Sequence, residues 1–275
     1  MKEGTLYLAL SFIFMVAVLV FFVVPLLWLA LSAFNPHATP ALEVPAKPSL
    51  QNFAGLFKPV GMVCPYQWII NSIIVSTASA TLAVLLSLPS ASVFSRFPFR
   101  GQGAMLSLFV VLRLVPPIVI ALPIMVLYRM WGLINTLQGL ILALSAFVLP
   151  FTLLLLESSL RTIPTVYEEA AMVDGCTKLG AFMRVTLPLA MPGIATSWLL
   201  AFVTVWSEFV ITLMVIRSPS LMTASVGLRF FFGEYGRVDY GRLSAFSILY
   251  SIPILITFFA IRKYLRRGIA GLASR

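Results

Sequence analysis

A charged segment that could bind another protein lies between two apolar stretches of the chain. It is the run Glu168-Glu169-Ala170-Ala171-Met172-Val173-Asp174-Gly175. Carboxylates in the early turns of a helix are favoured by the helix dipole, and the two alanines favour helix. The Asp-Gly pair at its end predicts a sharp reversal, because glycine accepts the left-handed conformation. The run therefore predicts a short helix and a turn.

A second helical stretch is predicted from Thr177 to Val185. Leu187-Pro188 and Pro192 are expected to break it before the next apolar stretch, since proline removes a backbone donor. The whole segment is then a helix-turn-helix knob that projects two carboxylates toward a partner protein. A solvated linker that only joins two apolar stretches fits the same pattern.

The chain lacks the residue patterns that catalysis needs. It has no Gly-rich Lys-Ser/Thr loop that could cradle phosphate, and no paired nucleophile and base. Two cysteines, Cys64 and Cys176, form neither a disulfide framework nor a metal motif, and the single histidine, His37, lies in a Pro-rich loop. We expect this chain to bind no cofactor and to have no means of hydrolysing ATP itself.

Composition places the chain in the membrane. Hydrophobic residues make up 60% and charged residues 10% of it, with a mean hydropathy of +1.03, whereas soluble domains carry about 25% charged residues. A soluble enzyme is excluded. The net charge of +10 is explained by membrane orientation and contact with anionic lipid headgroups, without any nucleic-acid partner.

The apolar stretches predict an all-α integral membrane protein with one domain, residues 1–275. Each is near the roughly 20 residues that a helix needs to cross the hydrocarbon, and stretches of this length exclude barrel strands. The charged loop falls between the fourth and fifth spans. The six predicted spans are Leu6 to Phe34, Trp68 to Phe94, Met105 to Tyr128, Leu140 to Leu156, Gly193 to Ile216 and Gly241 to Ile261.

An even number of spans puts both termini on one side of the membrane. The excess of Lys and Arg favours the cytoplasmic side, and it is carried mainly by the cluster from Arg262 to Arg267. The charged loop is then cytoplasmic, and the protein is expected in the inner, or cytoplasmic, membrane.

Polar side chains within the spans are candidates for a solute path. Thr204, Glu208 and Thr212 recur every four residues and predict one polar face of the fifth helix. A carboxylate is costly in hydrocarbon, so Glu208 should line a cavity or make a structural hydrogen bond between helices. Arg113, half-way along the third span, fits a cavity or a packing role equally well. Asn71, which opens the second span, is a further candidate.

The order of the loop residues resembles the cytoplasmic signature of the inner-membrane permeases of binding-protein-dependent ABC importers. The matching residues are Glu169-Ala170-Ala171, Gly175 and Leu187-Pro188. Ile163-Pro164, Phe182 and Pro192 extend the similarity toward the carbohydrate, maltose-type branch, as do Asn71-Ser72, Pro116-Pro117 with Pro123, and the segment 132–136. The similarity covers most of residues 68 to 216. Residues 265–272 are similar to the basic, Gly-containing tail of the family.

The resemblance implies a division of labour among several chains. Two permeases, usually of different sequence, form the pathway, two ATPase subunits bind ATP and Mg, and an extracytoplasmic binding protein delivers the solute. The loop, residues 157–192, is implied to dock on an ATPase subunit as a coupling helix, with Glu169 pairing with a basic residue. The coupling residues it implies are Glu168, Glu169, Ala170, Ala171, Asp174, Gly175, Leu187 and Pro188.

The chain departs from the family pattern at one point, and its sequence also fits several other functions. The run Trp206-Ser207-Glu208 stands where the carbohydrate branch often has Trp-Asn-Glu, so no role of that Asn carries over. A sugar is the expected cargo, and another small polar solute fits the wider importer class. An ion-coupled secondary transporter would explain the spans and Glu208, although internal repeats are not found. A membrane scaffold would explain the loop alone.

Overall fold

The computed structural model describes the backbone of residues 2–60, 62–233 and 238–273, and side chains within 7–262 apart from residues 9, 61 and 234–237. Over these residues the chain is helical, with isolated β-bridges at Val60–Val63 and Phe232–Val238. The helices are α1 Lys2–Ala33, α2 Gln51–Gly55, α3 Pro65–Arg96, α4 Gln102–Leu114, α5 Pro117–Met130, α6 Leu137–Arg161, α7 Val166–Val173, α8 Lys178–Ala181, α9 Leu187–Trp206, α10 Val210–Val215, α11 Ala224–Gly227 and α12 Tyr240–Ala273.

The all-α membrane fold is confirmed. Within the described chain, five helices are long and apolar enough to cross a membrane, and a bent helix pair makes a sixth when it is counted as one span. In α1 the large apolar side chains from Leu10 to Leu27 are exposed, as expected of a helix whose surface lies against lipid. The basic residues Lys263, Arg266 and Arg267, and the tail 265–272, lie outside the described side chains.

The third span is not the single helix that we predicted from Met105 to Tyr128. It is divided into α4 and α5, whose axes are bent by 93°. Val115 and Pro116 are extended between them, with ψ of 123° and 140°. A residue that precedes proline is pushed out of the helical region, and two successive prolines extend that restriction over two residues.

The fourth and fifth spans also differ from the predicted bounds. The fourth, α6, is 25 residues long and begins where the Thr136 side chain accepts a hydrogen bond from the Gly139 N–H at 3.0 Å. The fifth was predicted over residues 193–216. Instead, α9 ends at Trp206, residues 207–209 interrupt the helix, and α10 follows.

The chain falls into two compact units, Met1–Tyr66 with Leu228–Ile252, and Gln67–Gly227 with Pro253–Arg275. The prediction of one domain over residues 1–275 stays a prediction. In the first unit the buried Asn52 amide donates to the carbonyls of Ala33 at 3.1 Å and Asn35 at 2.8 Å, which satisfies acceptors at the end of α1. The second unit contains the loop and every candidate site residue.

The second unit is held together by close contact between α6 and α9. A Cβ added at Gly193 would lie 1.7 Å from the Ser159 hydroxyl oxygen, so the two helices approach as closely as a glycine permits. Beside this contact, Leu156 and Leu160 of α6 pack with Ala190 of α9 and with Val84 and Ala91 of α3. Small residues at such positions are typical of helix packing in membranes.

Candidate functional site

The charged loop begins with α7, which carries both carboxylates in its first turn. The helix ends at Asp174-Gly175, where Gly175 has φ of +90°. The N–H of Gly175 donates to the Met172 carbonyl at 3.0 Å, and the N–H of Cys176 donates to the Ala171 carbonyl at 3.0 Å. These bonds close the helix end, as a left-handed glycine allows. The predicted helix and turn are confirmed.

After the turn the chain enters one continuous helical stretch, Lys178–Trp206. The Thr177 side chain caps its start by accepting from the Gly180 N–H at 3.1 Å. The expected break at Leu187-Pro188 and Pro192 is wrong, because a π-helical turn, Phe182–Thr186, leads into α9 without interruption. The wider π turn gives room for the proline ring, which in a regular α-helix would clash with the carbonyl four residues earlier.

Glu168 faces the protein, so our expectation that the knob projects two carboxylates is wrong for this residue. Its Oε1 lies 2.8 Å from the Arg96 Nε of α3 and accepts a hydrogen bond from the Thr186 hydroxyl at 2.6 Å. Arg96 also donates from Nη1 to the Ile163 carbonyl at 3.0 Å. The two charged side chains are only 8% and 13% exposed. We call Arg96, Glu168 and Thr186 the clamp, since they fasten both arms of the loop to the end of α3.

Glu169 and its surroundings form an exposed surface on the same helix. No ion pair or hydrogen bond of its side chain is found within the described residues, and Ala170 beside it is exposed as well. Large apolar side chains of the same loop are exposed as well: Val166 is 64%, Tyr167 54%, Val173 87% and Leu179 72% exposed. A carboxylate among exposed apolar groups, with small residues that permit close approach, suits contact with another protein. We call this the docking surface.

The remaining predicted coupling residues lie around the docking surface. Asp174 and Gly175 are exposed at the turn, whereas Ala171, within α7, is half-buried. Leu187 is half-buried and Pro188 exposed at the start of α9. The motif is therefore one folded unit in which exposed positions alternate with half-buried ones.

The predicted polar face of the fifth helix is wrong, because the helix ends before Glu208. The Glu208 carboxylate is buried and accepts the N–H of Ile211 at 2.8 Å and the N–H of Thr212 at 3.0 Å, together with the Thr212 hydroxyl at 3.2 Å. It thus satisfies the free donors at the start of α10. Thr204, a half-buried residue of α9, donates to the Leu200 carbonyl at 2.7 Å and does not join this group.

Asn71 holds a loop in place at the opposite end of α3 from Arg96. Its amide donates to the carbonyls of Ser220 at 2.8 Å and Met222 at 3.0 Å. Asn135 has a similar role that sequence reasoning missed: its Oδ1 accepts the N–H groups of Arg217 and Ser218 at 3.0 and 2.8 Å. Its φ of 61°, a conformation that asparagine tolerates, is the local signal for such an anchor.

Arg113 lies in the last turn of α4, directly before the bend. Its guanidinium carbon lies 3.7 Å from the ring centroid of Phe151 on α6. The side chain is exposed, and it takes part in none of the ion pairs found among the described residues.

Family comparison agrees with this arrangement. Residues 83–271, from α3 through the loop to α12, match the family described as "Binding-protein-dependent transport system inner membrane component". The chain belongs to this family. The resemblance to importer permeases inferred from the loop motif is confirmed, and the chain is a permease component of a transporter.

Individual relatives are similar to this permease along nearly the whole chain. The "Probable ABC transporter permease protein YurM" of Bacillus subtilis is 33% identical, over 94% of this chain and 86% of that protein. The "Sulfoquinovosyl glycerol transport system permease protein SmoH" of Agrobacterium fabrum is 29% identical, over 91% of this chain and 87% of that protein.

A solved structure has the same fold. It is the crystal structure of a bacterial ABC transporter involved in the import of the acidic polysaccharide alginate, and one of its chains matches with a TM-score of 0.81. The match covers 96% of this permease and 98% of that chain at 16% identity, so it shows the fold alone.

The clamp was not foreseen from the sequence. Nothing in the sequence marks Arg96 or Thr186 as a partner of Glu168. The two residues stand 72 and 18 positions from Glu168, so no local pattern joins them.

Proposed function

We propose that this permease forms half of the translocation path of an ATP-driven importer for a mono- or oligosaccharide, which an extracytoplasmic binding protein delivers. The observation that supports this proposal is the structure of the loop. The loop is a folded unit that the clamp joins to α3 and that continues into α9, and it presents Glu169 on an exposed apolar surface. A saccharide as cargo is supported by the relative named for sulfoquinovosyl glycerol transport.

The docking surface binds one ATPase subunit, and the equivalent surface of a second permease, different in sequence, binds another. ATP and Mg are held by the ATPase subunits, and this chain binds no cofactor. Glu169 pairs with a basic ATPase residue. Because ATP favours one arrangement of the ATPase pair, closure of that pair shifts the permease between inward-facing and outward-facing states. The continuous helix Lys178–Trp206 carries the movement into the membrane.

The permease lies in the inner membrane with both termini cytoplasmic. Of the predicted path residues, Arg113 and Thr204 are assigned to the path, since the Thr204 hydroxyl bonds to the Leu200 carbonyl of its own helix and holds no other segment within the described residues. The side chains of Asn71, Glu208 and Thr212 are already bonded within the fold, and we assign them to holding the segments after α9 in position.

The test compares charge reversal on the two sides of the membrane. Glu169→Lys is expected to reduce both the ATPase subunits that co-purify with the tagged permease and the ATP-dependent uptake of labelled saccharides into proteoliposomes. Glu43→Lys reverses an equally exposed carboxylate in the loop after α1 and should change neither. The proposal fails if no ATPase co-purifies with the unaltered chain. It also fails if the complex with Glu169→Lys takes up saccharide at the rate of the unaltered complex.

A further inference from the structure

With the proposed topology, counts along α4 and α6 both put Arg113 near the middle of the membrane. Counted along α4 from Gln102, it lies about 17 Å from the start of the helix at a rise of 1.5 Å per residue. Its stacking partner Phe151 lies about 15 Å from the end of α6 at Arg161 by the same measure. Both helix ends belong to the cytoplasmic side, and the hydrocarbon is about 30 Å thick. The guanidinium is therefore at mid-depth.

A guanidinium at this depth cannot simply face lipid. Exposing it to hydrocarbon is costly, and intramembrane arginines face a water-filled cavity or a polar partner. The bend between α4 and α5 begins two residues later, where Val115 and Pro116 leave the helical conformation. Backbone of this kind is tolerated at membrane depth where it lines a cavity or is buried in protein.

The stack on Phe151 holds the guanidinium without using its hydrogen-bonding capacity. The guanidinium carbon lies over the ring, 3.7 Å from its centroid. The N–H donors of arginine lie in the guanidinium plane and point away from its edge. None of them has a hydrogen-bond partner within the described residues. A fixed, planar set of donors is thus free to bind.

The acidic groups near the membrane interior are already bonded to other residues. The Glu157 carboxylate, near the cytoplasmic end of α6, pairs with Arg161. The Glu208 carboxylate is held by the start of α10. Within the described residues Arg113 therefore contributes a positive charge at mid-depth that no carboxylate of this chain neutralises.

We infer that Arg113 is a specificity residue of the path that binds an anionic group, a carboxylate or sulfonate, on the transported saccharide. The inference rests on the proposed function and narrows its cargo to acidic saccharides. Both anions present paired oxygens to which the edge of a guanidinium donates two parallel hydrogen bonds, and such charge-assisted bonds are the strong ones. The contact with Phe151 holds the guanidinium in place, so that the anion meets donors that are already positioned.

The experiment uses the complete complex, with its partner permease, ATPase subunits and binding protein, in proteoliposomes that contain ATP. Uptake is measured for labelled saccharides chosen in pairs of equal length, one uronate or sulfonated and one neutral. The unaltered complex should take up acidic members. Arg113→Gln should lower that uptake about tenfold or more, and Arg113→Lys should be intermediate because it keeps the charge but loses the planar fork.

Arg129→Gln is the matched control, because it removes an exposed arginine from the end of α5 and should leave uptake unchanged. Uptake of neutral members alone by the unaltered complex would overturn the inference, as would an Arg113→Gln complex with undiminished uptake of acidic members. Loss of the partner permease from the purified Arg113→Gln complex would also overturn it, since Arg113 would then bind the other subunit. Failure of the proposed function is distinct: the unaltered complex would take up no saccharide at all.

Discussion

Replacing Glu168 by alanine should free the loop from α3, whereas the same change at Glu169 should leave the loop folded. The Glu168 carboxylate bonds the Arg96 guanidinium at 2.8 Å and the Thr186 hydroxyl at 2.6 Å, with little of either charged side chain exposed. Removing it leaves a buried guanidinium without its counter-charge. Breaking a buried ion pair in this way costs about 3–5 kcal/mol. Glu169 is exposed and has no such contacts among the described residues.

This cost can be measured as local opening of α7. Because each 1.4 kcal/mol is a factor of ten in an equilibrium constant, 3–5 kcal/mol corresponds to about 100-fold to several thousand-fold more opening. Amide hydrogen exchange of Val166–Val173 is the assay, since exchange there follows local opening. It is measured on the permeases purified without their ATPase subunits, so that docking does not itself protect α7. Thr186→Val should accelerate exchange less, by about ten- to a hundred-fold, because it removes one hydrogen bond to a charged group.

The functional readout separates the two carboxylates. Both Glu168→Ala and Glu169→Ala should lower ATP-dependent uptake, the first because the loop no longer moves with α3 and the second because the docking surface has lost its charge. Only Glu168→Ala should change the exchange rates. Equal exchange in the two variants would refute the reasoning, as would unchanged exchange in Arg96→Ala, which removes the other half of the pair.

Three further outcomes are expected. A membrane-impermeant maleimide added to intact cells should modify Cys64 but not Cys176, because the proposed topology puts them on opposite sides; the reverse pattern would invert the topology. Gly193→Ala should lower the thermal unfolding midpoint of the complex, since its Cβ would lie 1.7 Å from the Ser159 hydroxyl oxygen and overpacking costs about 1–3 kcal/mol. Ser159→Gly in the same chain should restore much of the loss, and no restoration would mean that the clash lies elsewhere. Glu208→Gln should also lower the midpoint, since it weakens the bonds to the start of α10 and costs about 1–3 kcal/mol of unfolding free energy. It should reduce the uptake of acidic and neutral saccharides alike.

Hydropathy was sufficient to find the membrane helices, but the effect of each proline depended on its neighbours. Pro116 and Pro117 lie in an apolar run, and the chain turns by 93° there. Pro188 lies in a run that we expected to break, and the helix passes through it. Pro116 and Pro117 are adjacent, so two successive residues are pushed out of the helical region. Single prolines such as Pro150 and Pro192 instead lie inside their helices.

The spacing of Thr204, Glu208 and Thr212 misled for a related reason. A four-residue repeat predicts one face only if the helix is continuous through it. The helix ends at Trp206, and Glu208 then does what an acidic residue does at a helix start, accepting the free N–H groups of the next helix. The Glu208 carboxylate, which we predicted as a candidate for the path, therefore binds backbone N–H groups. Arg113 is left as the in-membrane charge whose hydrogen-bonding groups remain free among the described residues.

Glu168 and Glu169 are the same residue type at adjacent positions, yet one is bonded within the fold and the other is exposed. Adjacent positions on an α-helix point about 100° apart, so two neighbouring carboxylates can have different surroundings. We expected both to face a partner, and the sequence does not say which one faces inward. That is decided by Arg96, which α3 brings to the loop from 72 positions away, and by Thr186 on the returning arm. Because the inner carboxylate holds the loop to α3, a force applied at the outer one reaches the membrane helices through a fixed attachment. The coupling that we propose accordingly needs both residues, one for contact and one for transmission.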